Sequence, residues 1–290
     1  MNALPTHLPS PLPADLGQQV TTALREDVAG GDVTATLVPA RQRVRGRVIT
    51  REAMILCGVA WVEETFRQLD PQIRLNWQLE EGAQAQPEAT LFTVEGPARP
   101  ILTGERTALN FLQLLSATAS EARRYADAVA GTGCTILDTR KTLPGLRTAQ
   151  KYAVRCGGAR NHRMGLYDMI LIKENHIAAA GSLSKAIAGA RRAAPRLQVE
   201  TEVENLTQLE EALLARPETV MLDNFSLDDL RTAVNRNREA GSPVKLEASG
   251  GASLETVRAI AATGVDFISV GAITKHVRAI DLSMRLEFTA

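Results

Sequence analysis

Six apolar runs in the last two-thirds of the chain have the length of strands, and each ends in residues that carry functional groups. They read TILDTRKT (135–142), DMILIKENH (168–176), LQVETEVE (197–204), TVMLDNF (219–225), VKLEASGG (244–251) and FISVGAIT (267–274). Between consecutive runs lies enough chain for one helix. Strands that alternate with helices make a parallel sheet, which is covered on both faces, so its strands read as continuous Val, Ile and Leu. The pattern predicts an α/β barrel, whose site forms at the C-terminal ends of the strands. Arg140, Lys141, Lys173, Glu202, Asp223, Ser249, Gly250 and Gly271 occupy those ends, in chain order.

The rest of the composition narrows the function classes. At 290 residues the chain can bury a large core, as one large domain or two moderate ones. Its 33 basic and 33 acidic residues balance, so no net field draws it to nucleic acid or to a membrane surface. No run of about 18 apolar residues could span a bilayer. The opening segment, with Pro5, Pro9, Pro11 and Pro13, lacks the basic and apolar regions of a secretory leader. Cys57, Cys134 and Cys156 are widely spaced, with no CxxC pair. That spacing argues for a reducing compartment and against a disulfide framework or a structural zinc site. Cys156 is read as a neutral bystander thiol. The expectation is a soluble cytoplasmic enzyme.

Before the barrel runs the pattern changes. An amphipathic helix is predicted over 16–30, stopped by Gly30 and Gly31. Strands are predicted at 44–50, 73–79 and 90–95, a helix around 60–69, and a turn-rich connector at 82–87. This mixture reads as an α+β domain. A long helical stretch over 101–130 follows the Gly96-Pro97 break, with Thr103 expected as its cap and Glu105 in its first turn. The tail at 281–290 alternates apolar residues and is expected to return as a strand to the first domain. The resulting division is 1–115 with the tail 276–290, and 116–275 for the barrel.

The densest chemistry runs from Asp138 to His176. Arg140 and Lys141 adjoin at one strand end, His162 and Arg163 follow a Cys-Gly-Gly loop, and Lys173 closes the next strand. Arginine forks bind carboxylates and phosphates in bidentate fashion, and lysine supplies a point charge. Several cations converging on one pocket imply a ligand with several negative charges. Glu202 and Asp223 end the next two strands. Carboxylates beside phosphates hold a divalent cation, accept ribose hydroxyls or steady developing positive charge. Glu200 and Glu204 share the strand face with Glu202, and the sequence leaves open which of the three acts. Ser249-Gly250-Gly251 and Gly271-Ala272 end the last two strands, where barrels bind phosphate through backbone amides at a helix N-terminus. A glycosidase reading of the paired acids is weakened by the surrounding cations, which depress carboxylate pKa values. A Schiff-base aldolase using Lys173 has no use for the additional cations. A non-catalytic phosphosugar-binding module has no use for Glu202 and Asp223.

At these residues the chain resembles the quinolinate phosphoribosyltransferase family. The resemblance is carried by Glu26-Asp27, GGDVT (30–34), GERTALNFLQLLS (104–116) and DTRKTLPGLR (138–147). It continues through NHRMGLYDMILIKENH (161–176), EVENL (202–206), LDNF (222–225), LEASGG (246–251) and ISVGAIT (268–274). Ala159 and Ala117 stand where the family often has glycine. The resemblance implies an N-terminal open-faced α/β sandwich beside an incomplete α/β (TIM-like) barrel. It also implies the reaction of quinolinate with 5-phosphoribosyl-1-pyrophosphate (PRPP), with Mg²⁺, to nicotinate mononucleotide, pyrophosphate and CO₂. Arg140, Lys141, His162 and Arg163 would line the quinolinate pocket, Thr139 would also bind substrate, and Arg106 would reach the pocket of a neighbouring subunit in a homodimer. Lys173 would face ribose and pyrophosphate. Glu202 and Asp223 would serve the ribose hydroxyls, the metal and the cationic centre. Ser249, Gly250, Gly251, Gly271 and Ala272 would hold the 5′-phosphate. A related enzyme acting on nicotinate would need one fewer carboxylate partner than Arg106, Arg140, Lys141 and Arg163 provide.

Overall fold

The computed structural model describes residues 11–241 and 244–289. The chain divides into two compact units. One gathers the residues up to Arg123, Thr142–Gly158 and the stretch from His276, and the other consists of Arg124–Lys141 and Ala159–Lys275.

In the first unit, helix α1 (Leu16–Val28) precedes strands β1 (Arg43–Thr50) and β2 (Met54–Ile55) and helix α2 (Val59–Leu69). Strands β3 (Arg74–Trp77), β4 (Gln84–Ala85) and β5 (Thr90–Pro97) then lead into α3 (Ala98–Ala128), and α4 (Arg147–Cys156) also belongs to this unit. The tail strand, Leu282–Thr289, pairs antiparallel with β1, which pairs antiparallel with β5, which pairs with β3. Strict alternation decides which face of β1 is wet: Arg43, Arg45 and Arg47 are exposed, whereas Val44 and Val48 are buried. Helices α2 and α3 cover the buried face with Val62, Phe66, Ile101, Leu109 and Leu112. The opposite face stays open.

Two local expectations change. The 82–87 connector contains β4, which pairs with β2. Helix α3 starts at Ala98, not at a Thr103 cap. Pro100 sits in its first turn, where a missing N–H costs no intrahelical bond. Thr103 lies inside the helix, its hydroxyl 3.0 Å from the Arg99 carbonyl and 2.8 Å from Asp32 Oδ2.

The second unit is a six-stranded parallel sheet of β6 (Thr135–Leu137), β7 (Ile170–Ile172), β8 (Val199–Val203), β9 (Thr219–Asp223), β10 (Lys245–Ser249) and β11 (Phe267–Ser269). Strand order is β6-β11-β10-β9-β8-β7. A single parallel bridge between Leu137 and Arg160 extends the β6 side. The barrel is therefore incomplete, open between that bridge and β7. Helices α5 (Glu174–Ala180), α6 (Leu183–Ala193), α7 (Leu206–Ala215), α8 (Leu227–Glu239), α9 (Val257–Ala261) and α10 (Ala272–Lys275) alternate with the strands. Three helix starts are set by side-chain caps: Ser182, Asn205 and Ser226 accept the N–H groups of Lys185, Gln208 and Asp229. The hydrogen-bonded ladders are shorter than the apolar runs. β6 stops at Leu137, so Thr139, Arg140 and Lys141 lie beyond the ladder and can turn toward a site. No helix among the described residues is long and apolar enough to cross a membrane.

Candidate active site

Beyond the C-terminal ends of the barrel strands lies an open cavity of about 300 Å³. Thr139, Arg140, Lys141, His162, Arg163, Lys173, Glu202, Asp223 and Ser249 line it. Leu171, Met221 and Ser269, which the sequence did not single out, complete the wall.

Local hydrogen bonds hold the loops that carry Lys141 and Arg163. Asp138 is fully buried, and its carboxylate accepts Asn161 Nδ2 at 2.6 Å and the His162 N–H at 2.9 Å, tying the loop after β6 to the His162-Arg163 loop. The Lys141 N–H donates to Thr139 Oγ1 at 3.1 Å, and Thr274 Oγ1 donates to the Lys141 carbonyl at 2.9 Å. A side chain on Gly271 would put its Cβ 3.1 Å from Lys141 Cδ, so that glycine lets the lysine pass. The Asp168 carboxylate accepts the N–H groups of Met164 (2.6 Å) and Gly165 (2.9 Å) and so folds the turn after Arg163. Burial, and next the charge of Arg140, hold the Arg163 guanidinium below its ordinary pKa. The charges of Glu200 and Asp168 oppose that shift.

Glu202 and Asp223 line the same cavity. Glu202 is ion-paired with Lys173. Asp223 Oδ2 accepts Asn224 Nδ2 at 2.8 Å, and the Asn224 N–H donates to the Ser249 carbonyl at 2.8 Å. Gly250 has φ +95, and an added Cβ would lie 2.1 Å from Asn224 Oδ1, so only glycine fits there. Of the three acids left open on β8, Glu202 borders the cavity. Glu204 is exposed, its N–H donating to Gln208. Glu200 is buried at 1 % exposure.

Glu200 meets two partners that sequence reasoning did not bring together. His162 Nε2 lies 2.9 Å from Glu200 Oε2 and 3.7 Å from Glu247 Oε2. Burial pushes the Glu200 carboxyl up to about 7 and the Glu247 carboxyl up to about 8, the latter also through the charge of Glu200. The available signal for Glu247 was an acid in the middle of the apolar run VKLEASGG, where a parallel strand is covered on both faces.

Gly250, Gly251, Gly271 and Ala272 follow the ends of β10 and β11 but are not part of the cavity wall. Helix α10 starts directly at Ala272, whereas α9 starts only at Val257. Arg106 is exposed on α3 in the first unit, at a separate hollow with Asp27, Asp32 and Val33. The three cysteines are buried and free.

Residues 32–116 match the quinolinate phosphoribosyl transferase N-terminal domain family, and residues 118–285 match the corresponding C-terminal domain family. The chain is 44 % identical over 273 residues to the nicotinate-nucleotide pyrophosphorylase [carboxylating] of Mycobacterium leprae, covering 92 % of this chain and 95 % of that protein. It is 38 % identical over 291 residues to quinolinate phosphoribosyltransferase [decarboxylating] 1 of Nicotiana glauca, covering 94 % of this chain and 83 % of that one. The solved structure of the nicotinate-nucleotide pyrophosphorylase from Francisella tularensis superposes with a TM-score of 0.90 at 45 % identity, over 98 % of this chain and 100 % of that one.

Proposed function

The chain belongs to the quinolinate phosphoribosyltransferase family, and from that premise we propose how its cavity joins quinolinate to PRPP. The enzyme transfers the phosphoribosyl group to quinolinate with decarboxylation, giving nicotinate mononucleotide, pyrophosphate and CO₂, a step of NAD biosynthesis. The observation that carries the site assignment is the convergence of Arg140, Lys141, Arg163 and Lys173 on one cavity that also holds Glu202 and Asp223. Such a cluster is complementary to a dicarboxylate and a pyrophosphate bound together.

In this reading Arg140, Lys141 and Arg163 clamp the two quinolinate carboxylates and aim the pyridine nitrogen at C1′ of the ribose. Lys173 and Lys141 offset the charge that builds on the departing pyrophosphate. Glu202 and Asp223 face the ribosyl carbon, where positive charge develops as the leaving-group bond stretches. Preorganised charge of this kind lowers the barrier without a proton-transfer group. Once the nitrogen is quaternised, the ring accepts the electron pair released as the C2 carboxylate leaves as CO₂, and C2 takes a proton. Ser249, Gly250, Gly251, Gly271 and Ala272 are assigned to the 5′-phosphate.

Glu202 and Asp223 also suit Mg²⁺, which is usually bound through one or two carboxylates together with substrate phosphate oxygens. Among the described residues these two acids gather no third protein ligand of their own, which fits an ion held jointly with PRPP. Bound there, Mg²⁺ would supply charge neutralisation to the pyrophosphate. We further assign the active form to a cytoplasmic homodimer in which Arg106 of one copy completes the cavity of the other. Incubating the protein with Mg²⁺, PRPP and quinolinate should yield CO₂ and nicotinate mononucleotide in equal amounts, and nicotinate should not replace quinolinate. Absence of both products would refute the reading.

A further inference from the structure

Resting on that reading, we propose that Asp32 is a positioning residue for quinolinate: it straps the 32–38 segment across α3, so that Arg106 meets the cavity of a second copy with its hydrogen-bond donors unused. The strap follows one stripe of the helix. Arg99, Thr103 and Arg106 lie four and three residues apart, a spacing that puts them on one helical face. Arg99 Nε donates to the Val38 carbonyl at 2.8 Å, and the Thr103 hydroxyl donates to Asp32 Oδ2 at 2.8 Å. The third position of the stripe, Arg106, is exposed and makes no hydrogen bond or ion pair among the described residues.

Asp27, Asp32, Val33 and Arg106 share one hollow, yet neither acid captures the arginine. Asp32 is already engaged. Its Oδ1 accepts the N–H groups of Thr34 (3.0 Å) and Ala35 (2.9 Å), and its Oδ2 accepts the Thr103 hydroxyl. Three of its roughly four acceptor positions are therefore filled. The Ala35 N–H first, and then Thr103, hold this carboxyl below its ordinary pKa, so it stays charged at neutral pH. That charge favours a guanidinium nearby, while the guanidinium keeps its own fork of N–H donors for a ligand carboxylate. Val33 and Leu37, both strongly exposed, give the strapped segment an apolar outer side that suits cover by a second copy.

Loss of Asp32 should affect one substrate and one of the two chains that build a site. Without its carboxylate the segment is freed from Thr103, one wall of the hollow opens, and Arg106 spreads over more rotamers. Ordering that side chain on a ligand then costs more, so quinolinate binds less tightly while PRPP does not. Because Arg106 serves the neighbouring cavity, the damage falls on the partner's site. The altered chain's own barrel stays competent whenever its partner carries an intact strap.

The test uses the full chain with Asp32→Ala, Asp32→Asn and Thr103→Val. Asp32→Ala should raise the quinolinate KM about tenfold and leave the PRPP KM within about twofold. Asp32→Asn keeps an acceptor for the Thr34 and Ala35 N–H groups and a donor for the Thr103 oxygen, so it should recover most of that loss. Thr103→Val cuts only the tie to α3 and should raise the quinolinate KM about threefold, which decides the matter if Asp32→Ala does not fold. Mixed with excess inactive Lys173→Ala chains, Asp32→Ala should return to the wild-type quinolinate KM, because each remaining site pairs its barrel with an intact strap. Mixed with excess Arg106→Ala chains, its KM should stay raised. Calorimetry of quinolinate without PRPP gives an arm free of turnover: Asp32→Ala should weaken binding about tenfold alone and less than about twofold in the Arg106→Ala background. Additive losses would overturn the proposal, as would equal rises in both KM values. A raised KM that Lys173→Ala chains leave unrepaired, although they rescue Arg106→Ala, would overturn it and spare the shared site. If they rescue neither, the shared site falls and the proposal with it. A wild type that binds quinolinate but forms no nicotinate mononucleotide would sink the functional reading, and the calorimetric cycle would still decide for or against Asp32.

Discussion

Arg163→Ala isolates the clamp on the quinolinate carboxylates. The guanidinium is partly buried, faces the charge of Glu200 and is repelled by Arg140. Losing a charge-assisted contact in such a place leaves the ligand carboxylate poorly paired and costs about 2–4 kcal/mol. Removal of Arg163 also relieves its repulsion with Arg140, which offsets part of that loss. The lower half of the range, about 2–3 kcal/mol, is therefore the expected cost, equivalent to roughly a 30- to 140-fold rise in the quinolinate requirement. Arg163→Lys should fall between wild type and alanine, because it keeps the charge and loses the planar fork. The assay varies quinolinate at saturating PRPP, then PRPP at saturating quinolinate. Equal rises in both KM values would refute the assignment, since that outcome means a collapsed site and not a lost carboxylate contact. A lysine variant as poor as alanine would show that the fork, and not the charge, carries the whole effect.

Three other outcomes follow from the same geometry. Asp223→Asn keeps volume and removes charge, so turnover should fall while quinolinate affinity, measured by calorimetry without PRPP, stays within about twofold; near-normal turnover would place Asp223 among structural residues. An inactive Arg106→Ala chain mixed with an inactive Lys173→Ala chain should regain activity on subunit exchange, because a heterodimer holds one site with neither defect; no recovery in verified heterodimers would mean that Arg106 does not serve a neighbouring site. Gly157→Ala should destabilise the first unit by about 3 kcal/mol, read from the denaturant midpoint, since its Cβ would lie 2.3 Å from the Ala119 carbonyl oxygen and 2.5 Å from Ala122 Cβ. An unchanged midpoint would show that α3 and α4 can move apart at no cost.

Much of the barrel was legible because its cause is local. A strand covered on both faces must be apolar along its length, and the chemistry must then sit where the ladder ends. Arg140, Lys141, Lys173, Glu202, Asp223, Ser249, Gly250 and Gly271 could be read as one set on that ground alone, and the structure brings all of them but the two glycines to the wall of one cavity. The tail strand was equally plain, since alternation along 281–290 needs a sheet with one wet face, and β1 supplies it.

What the sequence could not decide depends on which groups meet across the fold. Thr103 looked like a cap, but Pro100 is harmless in a first turn, so α3 begins earlier and Thr103 turns its hydroxyl to Asp32. The segment Thr142–Gly158 follows the first barrel strand in the chain yet packs into the first unit, where Gly157 allows close approach to α3. Glu200, Glu202 and Glu204 were indistinguishable by position, and only depth separates them. Depth also makes the acid pair. Glu200 and Glu247 come from strands separated by β9 in the sheet, and neither sequence neighbourhood announces the other. Burial pushes both carboxyls up because the folded interior excludes water from both at once, a condition that no local pattern can encode.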